Sequence, residues 1–124
     1  MQKSPSQDER IAKLTFASVY PHYLSKIEKK QRTKDELHTV ILWLTGFDDG
    51  KIQEFISNNA SFEEFFTKAD LNPNAQFITG MICGYNIGEI ENALTRNVRY
   101  LDKLVDELAK GKKLEKILRS RGGN

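Results

Sequence analysis

The side chains that could carry chemistry in this sequence are few and widely spaced. The single cysteine, Cys83, follows the apolar pair Met81 and Ile82, which predicts a buried and inert thiol. The two histidines, His22 and His38, are 16 residues apart and match no HxxxH or HExxH zinc motif, so we expect solvated or capping roles. No Ser/His/Asp or Cys/His set can be assembled from them. The sequence therefore predicts no catalytic residues, no metal site and no cofactor.

A small set of polar residues forms our only candidates for a ligand cleft. They lie near two glycine-centred segments and comprise Thr45, Thr79, Tyr85, Arg99 and Asp102. Aromatic residues such as Tyr20, Tyr23 and Tyr100 could line the same cleft or pack helix against helix. These residues support one hypothesis, a small-molecule binder or enzyme that uses a cleft between the two glycines.

The two glycine-centred segments resemble each other. Residues 43–52 read WLTGFDDGKI and residues 81–90 read MICGYNIGEI, 38 positions later. Each pattern predicts a helix closed by a left-handed glycine, followed by a second helix capped by Asp48 or Asn86. The likeness has two explanations that stay open, an internal duplication or chance combined with ordinary capping.

Helical periodicity and capping signals recur through the rest of the chain. Residues 33–36 and 61–64 fit capping boxes, and Pro21 fits the first turn of a helix that starts near Ser18. Short helices are predicted near 49–58 and 114–118, and the strongest apolar pattern runs from about 92 to 109. Residues 39–45 also fit a buried strand, because they are rich in β-branched and aromatic types. The upstream cap and Gly46 favour a helix there.

The length and composition predict one domain. The chain has 124 residues, of which 39% are hydrophobic and 29% charged, a balance typical of a globular protein. We expect a disordered N-terminal arm at residues 1–9, a single helical domain at 10–119 and a frayed C-terminus at 120–124. The fold class predicted is all-α, a small single-domain helical bundle of five to seven helices with two helix–Gly corner–helix units.

The lack of targeting signals in the sequence and the distribution of its charged residues limit the partners that we expect for the protein. The chain has no apolar run of about 18 residues, no apolar secretion signal and one cysteine, so we expect a cytoplasmic protein without a membrane partner. Residues 35–75 carry eight acids and two bases, and residues 110–121 carry six bases and one acid. The basic C-terminal segment could bind nucleic acid weakly, or it could simply complement a helix dipole. The net charge of +2 and the acidic residues after both glycines disfavour nucleic acid as a partner.

Four strings in order carry a resemblance to a known family. They are FASVYP at residues 16–21, WLTGF at 43–47, ITGMICG at 78–84 and RYLDKLVDELAKGK at 99–112. The chain resembles, from about residue 11 to 119, the uncharacterised bacterial domain-of-unknown-function family numbered twenty-two hundred. The resemblance implies a small bacterial, cytoplasmic, single-domain protein. It supplies no activity and no binding or catalytic residues.

The sequence thus leaves the function and partner unknown and leaves open whether the protein is an enzyme. We favour a non-catalytic interaction or structural module, because capped amphipathic helices occur without a convergent catalytic set. Self-association into a homo-oligomer through an apolar helix face is one form of that hypothesis. The cleft binder and the basic nucleic-acid segment are its alternatives.

Overall fold

Helices make up most of the part of the chain that the structure, a computed structural model, describes, residues 7–119. Seven α-helices and one short hairpin lie within these residues. The helices are α1 (Gln7–Lys13), α2 (Phe16–Glu28), α3 (Lys34–Thr45), α4 (Asp49–Ser57), α5 (Phe62–Lys68), α6 (Ala93–Ala109) and α7 (Leu114–Ile117), and the strands are β1 (Met81–Ile82) and β2 (Tyr85–Asn86). Two 3-10 turns, Pro73–Phe77 and Ile87–Glu89, flank the hairpin. The predicted all-α class is confirmed.

The longest helix, α6, is the centre of the fold. It packs against α1, α2, α3, α5 and α7. Its apolar residues recur every three or four positions and are buried, as at Leu101, Leu104 and Leu108. The side chain of Asn92 caps this helix by accepting a hydrogen bond from the backbone N–H of Thr95 at 2.9 Å. The central helix predicted near 92–109 is confirmed.

Side-chain caps begin α3 and α5 where the sequence predicts them. Thr33 Oγ1 accepts from the Glu36 backbone N–H at 3.2 Å, and Ser61 Oγ accepts from the Glu64 backbone N–H at 3.1 Å. In both cases the glutamate side chain accepts in return from the backbone of the cap residue, which completes the capping box. Because α3 continues to Thr45, the alternative of a strand at residues 39–45 is wrong.

The first glycine unit consists of α3, Gly46 and α4. Gly46 has a φ of 81° and donates its N–H to the Leu42 carbonyl at 2.8 Å, which ends the helix. The Thr45 carbonyl accepts from the Asp70 N–H at 3.0 Å, so the loop that follows α5 pairs with the end of α3. Asp48 caps α4 through the Lys51 N–H.

The second glycine unit is a β-hairpin, and the prediction of a helix–Gly corner–helix there is wrong. Ile82 pairs with Tyr85, and the two-residue turn between them is formed by Cys83 and Gly84. Both turn residues have positive φ, 52° and 83°, as a type I′ turn requires. Cys83 is exposed in this turn, so its predicted burial is also wrong. Since the two glycines have different structural roles, the argument for an internal duplication is lost.

The start of α2 lies earlier than predicted. Thr15, which the prediction overlooked, caps the helix by accepting from the Ser18 N–H. Pro21 is therefore the sixth residue of α2, where it cannot donate to the Ala17 carbonyl.

The N-terminal boundary is also wrong in part. Residues 7–9, assigned to a disordered arm, form the start of α1, which packs on α5 and α6 through the buried Ile11. Residues 1–6 and the frayed end predicted at 120–124 lie outside the described residues. Within residues 7–119, every helix is too short or too polar to cross a bilayer.

Candidate functional site

A chain of polar contacts centred on Arg99 joins α2 to α6. Arg99 Nη1 donates to Asp102 Oδ2 at 3.0 Å, and the hydroxyl of Tyr23 donates to Asp102 Oδ1 at 2.6 Å. Arg99 and Asp102 are three residues apart on one helix face, which explains their pairing. Burial, and then the adjacent Asp102 carboxylate, raise the pKa of Tyr23 well above its usual value. Tyr23 therefore remains a neutral hydrogen-bond donor at physiological pH.

The hairpin and α1 complete this network. The guanidinium carbon of Arg99 lies 5.0 Å from the centroid of the Tyr85 ring, within the range of a cation–π interaction. The Tyr85 hydroxyl donates to Gln7 Oε1 on α1. The side chain of Tyr85 on β2 is thus held between α1 and α6.

One edge of the Arg99 guanidinium has no hydrogen-bond acceptor among residues 7–119. Its Nε is buried and has no partner within that range. Nη1 is bonded to Asp102, whereas none of residues 7–119 accepts a hydrogen bond from Nη2. Leaving a buried donor unpaired typically costs about 1–3 kcal/mol. The fold therefore encloses the Nε–H of Arg99 out of reach of a ligand, and Arg99 meets the neighbouring cavities only through the other parts of its side chain.

Arg99 lies on the wall between two cavities. We name the first the α1–hairpin cleft; it has a volume of about 460 Å³ and a mainly polar lining that includes Gln7, Tyr85, Asn86 and Thr95. We name the second the α1–α2 cleft; it has a volume of about 540 Å³ and a mixed lining, in which Ile11, Leu14 and Val98 stand beside Arg10 and Arg99. Both volumes fall in the range of small-molecule sites.

The two clefts differ in charge. The α1–hairpin cleft contains Asp8, Glu89 and Glu91 against Arg99, and one Asp8 oxygen accepts from the Thr95 hydroxyl at 2.6 Å. The α1–α2 cleft contains two arginines, Arg10 and Arg99, against the single carboxylate of Asp102. The first cleft favours a cationic or neutral polar group, and the second favours an anion.

Three of the five candidate residues come together in this region. Tyr85, Arg99 and Asp102 belong to the network described above. Thr45 is buried in α3, where its hydroxyl donates to the Ile41 carbonyl at 2.7 Å, and Thr79 is exposed ahead of β1. Neither threonine lines the two clefts. The region that gathers these three residues lies between α1, the hairpin and α6, and Thr45 and Thr79 lie apart from it.

Several residues of the site were not among the candidates. Gln7 fell in the segment predicted to be disordered, and Arg10 in a stretch with few apolar residues. Tyr23 stood among the aromatic residues, but its partner Asp102 is 79 positions away. A local pattern cannot reveal such a pair. The one sequence feature that pointed to Tyr23 was the high number of aromatic residues.

A second polar group involves a buried histidine. His38 Nδ1 is 2.8 Å from Asp49 Oδ1, and its Nε2 is 2.6 Å from the Tyr20 hydroxyl. The role predicted for His38, solvated or capping, is wrong. Since a carboxylate accepts hydrogen bonds, Nδ1 carries the proton in the neutral ring and Nε2 accepts from Tyr20. Partial burial, followed by the Asp49 charge, raises the pKa of Tyr20, so its hydroxyl stays protonated and is no nucleophile.

Three of the five basic residues at positions 110–119 are paired within the fold. Lys110 contacts Asp106 at 3.0 Å, and Lys112 and Arg119 contact Glu107 at 3.3 and 2.7 Å. Arg121 lies outside the described residues. Among residues 7–119 there is also no group of three or more His, Cys, Asp or Glu side chains suited to a metal ion. The paired cations are less available to phosphate groups than the sequence suggests.

Comparisons with known proteins place the chain in an uncharacterised group. The family model described as "Uncharacterized protein conserved in bacteria (DUF2200)" matches residues 10–119. A solved structure, "Crystal structure of uncharacterized protein SP1917", is 36% identical, covers 94% of each chain and superposes with a TM-score of 0.83. No curated protein matches the sequence. Neither description assigns a function.

Proposed function

Because this chain belongs to the DUF2200 family of uncharacterised bacterial proteins, whose description gives no activity, we propose from its own geometry that it is a non-catalytic binding module. Its ligand is a small organic molecule bound beside Arg99. The observation that carries this proposal is that Arg99, held by contacts from α6 and the hairpin, lines two clefts of about 460 and 540 Å³. A fixed arginine on the wall of two clefts is suited to binding an acceptor.

Binding rather than catalysis is favoured by how the titratable groups are used. Both oxygens of Asp102 accept hydrogen bonds, and Tyr23 stays protonated. His38 has both ring nitrogens bonded and lines neither cleft. These groups hold the structure in place, and none is poised to transfer a proton to a ligand.

A fragment screen by NMR tests the proposal. Isotope-labelled full chain is titrated with a library of cationic, neutral and anionic fragments, and backbone amide shifts are followed. We expect a subset of fragments to shift amides of α1, the hairpin and the middle of α6. Arg99→Gln should abolish these shifts, whereas Lys110→Gln, which removes the same charge from the far end of α6, should retain them. Absence of fragment binding beside Arg99, or shifts that persist in Arg99→Gln, would contradict the proposal.

A second candidate function is self-association through the hairpin. Phe77, Met81 and Tyr85 are each at least 40% exposed and lie within nine residues. In the described sheet, β1 and β2 pair only with each other. On β1 the Met81 carbonyl already accepts from Lys103 Nζ of α6 at 3.0 Å, so β2 has the edge that a second copy could pair with. A second copy of this chain, placed hairpin to hairpin, would cover both features. The test is the mass in solution over a range of concentrations: a dimer that Met81→Lys dissociates supports it, and a strict monomer contradicts it.

Cys83 bears on the compartment of the protein, and the basic C-terminal segment bears on nucleic-acid binding. We place the protein in the cytoplasm, supported by the free and exposed thiol of Cys83, which suits a reducing environment. Nucleic-acid binding by the basic segment is not adopted, because Lys110, Lys112 and Arg119 are paired with carboxylates of α6.

A further inference from the structure

A basic groove lies between the C-terminal halves of α2 and α6. Its volume is about 790 Å³, and its lining sets four lysines against one carboxylate: Lys26, Lys29, Lys30 and Lys110 against Asp106. We name it the α2–α6 groove. It shares no lining residue with the α1–hairpin cleft or the α1–α2 cleft. The groove is therefore a separate place on the molecule with an excess of positive charge.

Packing of α2 on α6 brings two of these lysines together on one carboxylate. Lys26 Nζ lies 3.2 Å from one oxygen of Asp106, and Lys110 Nζ lies 3.0 Å from the other. Partial burial raises the pKa of Asp106, but the hydrogen bonds from Lys110 and Lys26 outweigh it and hold that pKa below its usual value of 3.8. The ionised carboxylate thus fixes two ammonium groups side by side at the groove.

This ammonium pair is open to a ligand. The side chains of Lys26 and Lys110 are 48% and 73% exposed, whereas the side chain of Asp106 between them is only 14% exposed. An ammonium group has three N–H donors, and each of these two spends one on Asp106. The remaining donors are available to an acceptor from outside the protein.

The other two lysines of the groove add charge that no residue balances. The side chains of Lys29 and Lys30 are exposed, and their ammonium groups make no hydrogen bond or ion pair within residues 7–119. Both follow the end of α2, and they lie on the same groove as the pair on Asp106. The groove therefore carries more positive charge than its one carboxylate neutralises.

Lysines near the end of a helix commonly serve only to complement its dipole, and other groups fill that role here. Arg32 Nη1 donates to the carbonyls of Leu108 and Lys112 at and beyond the end of α6, at 3.2 and 2.8 Å. At the end of α2, backbone N–H groups of residues 29–32 bond the carbonyls of the last turn. The ammonium groups of Lys29 and Lys30 are thus not used as caps.

The lining of the groove favours an anion with several acceptor oxygens. Lysine ammonium groups only donate hydrogen bonds, and they bind phosphate groups as point charges. A single carboxylate ligand would leave part of the lysine charge unbalanced. A diphosphate has more negative charge and more terminal oxygens, so it can contact the fixed ammonium pair and the two unpaired lysines together. The volume of the groove falls in the range of small-molecule sites.

We infer that the α2–α6 groove is a second binding site, which takes a small anion bearing a diphosphate group. Lys29 and Lys30 bind it together with the ammonium pair held by Asp106. This inference goes beyond the proposed function and does not depend on a ligand beside Arg99.

Inorganic diphosphate, inorganic phosphate and acetate test the requirement for charge. Each is titrated into the isotope-labelled full chain at the same ionic strength, and dissociation constants are taken from backbone amide shifts. We expect diphosphate to shift amides of residues 22–30 and 106–111 and to bind at least tenfold more tightly than acetate, with phosphate between them. Equal affinity for diphosphate and acetate, or diphosphate shifts confined to other residues, would overturn the inference.

Two double variants of equal net charge locate the site. K29Q/K30Q removes two exposed charges from the groove, and K113Q/K116Q removes two exposed, unpaired charges next to and within α7, outside the groove. The first should weaken diphosphate binding at least tenfold, and the second should leave it within twofold. Since none of these four ammonium groups bonds to residues 7–119, both variants should fold, which circular dichroism verifies.

Equal losses of affinity in the two double variants would overturn the inference, because they would show a diffuse positive field instead of a site. A single-stranded oligonucleotide tests the other source of phosphate. If it binds more tightly than diphosphate and both double variants weaken it equally, the basic end of the molecule binds nucleic acid and the small-anion site is wrong. The proposed function is judged separately, from fragment shifts on α1 and the hairpin.

Discussion

The hydroxyl of Tyr20 lies 2.6 Å from Nε2 of His38, and this contact joins α2 to α3. The other ring nitrogen of His38 reaches Asp49 at the start of α4, so one imidazole connects three helices. Its side chain is only 10% exposed, whereas the carboxylate of Asp49 is 80% exposed. The hydrogen bonds to Tyr20 and Asp49 therefore take the place of hydrogen bonds that the His38 ring would otherwise make to water.

Removing this imidazole should lower stability more than removing the other histidine. His38→Ala loses two hydrogen bonds and leaves a cavity among helices, so we expect a loss of about 2–3 kcal/mol in the free energy of unfolding. His22→Ala alters an exposed position on α2 and should change it by less than about 0.5 kcal/mol. Urea denaturation of the two variants measures the difference. Equal losses would show that the Tyr20–His38–Asp49 contacts contribute nothing.

The conformation of Gly46 gives a second matched comparison. Gly46 has a positive φ, and a Cβ there would meet Asp70 Cβ at 3.7 Å and the Asp70 carbonyl oxygen at 3.9 Å, both ordinary contacts, so the cost of Gly46→Ala is conformational. We expect a loss of about 1–2 kcal/mol. Gly50 lies inside α4 with room for a methyl group, and Gly50→Ala should leave stability unchanged or raise it by up to about 1 kcal/mol. Thermal unfolding compares them, and a loss in both variants would contradict the assignment.

These positions show what a single sequence could reveal. Thr33, Ser61 and Gly46 each make their capping hydrogen bond to a residue three or four positions away. Their local sequence patterns therefore predicted where α3 and α5 begin and where α3 ends. The apolar spacing of α6 is equally local. The central part of the fold was therefore predictable from short-range signals.

The errors arose where a residue type permits two structures or where partners are distant. The dipeptide Cys83-Gly84 follows an apolar pair, which also fits a helix end; only the pairing of Ile82 with Tyr85 makes it a hairpin turn. Gln7 and Tyr85 are 78 positions apart, so a polar N-terminus gave no sign that α1 docks on the hairpin. Arg99, Asp102 and Tyr85 were identified as polar candidates, but their convergence depends on such long-range packing.

The hydroxyl of Tyr23 should make the protein sensitive to alkali. Its pKa in the folded state is raised above the usual value of 10.0, so the unfolded chain loses this proton first as the pH rises. The stabilisation is complete below about pH 10 and is lost as the pH rises through the folded pKa. Tyr23→Phe should be about 1–3 kcal/mol less stable at pH 7, because Asp102 loses a donor, and should show a shallower decline above pH 10.

Denaturation at a series of pH values from 7 to 11 measures both effects. Tyr100→Phe is the control. Tyr100 lies on α6 and is buried like Tyr23, but its hydroxyl makes no hydrogen bond to residues 7–119. That variant should stay within about 0.5 kcal/mol of the wild type at pH 7. A Tyr23→Phe profile parallel to that of the wild type above pH 10 would contradict the prediction.

Glu36 should make the protein sensitive to acid, because its pKa is lowered whereas that of Tyr23 is raised. The hydrogen bond from Arg32, opposed by partial burial and aided by the Thr33 backbone N–H, holds the pKa of Glu36 below its usual value of 4.5. Its stabilisation is present above about pH 4.5 and is lost as the pH falls through the folded pKa. Glu36→Gln should therefore be less stable at pH 7 and lose less stability between pH 5 and 3.

The matched control for Glu36 is Glu63, which also lies in the first turn of a capped helix. Its carboxylate has no hydrogen-bond partner among residues 7–119, so Glu63→Gln should retain the acid profile of the wild type. Circular dichroism at fixed urea concentration, followed from pH 7 to 3, compares the three proteins. The prediction is wrong if the two variants lose stability along the same curve.

The hairpin turn can be improved by one substitution. Cys83 is exposed and has a φ of 52°, which a side chain other than Asn, Asp or Gly adopts at a cost. Asn-Gly is the preferred pair for a type I′ turn, so Cys83→Asn should raise the free energy of unfolding by about 0.5–1 kcal/mol. Cys83→Val, which removes the same thiol but branches at Cβ, should lower it. Because the thiol makes no core contact, a Cys83→Asn protein less stable than the wild type, or a Cys83→Val protein equal to it, would show that the turn does not constrain this residue.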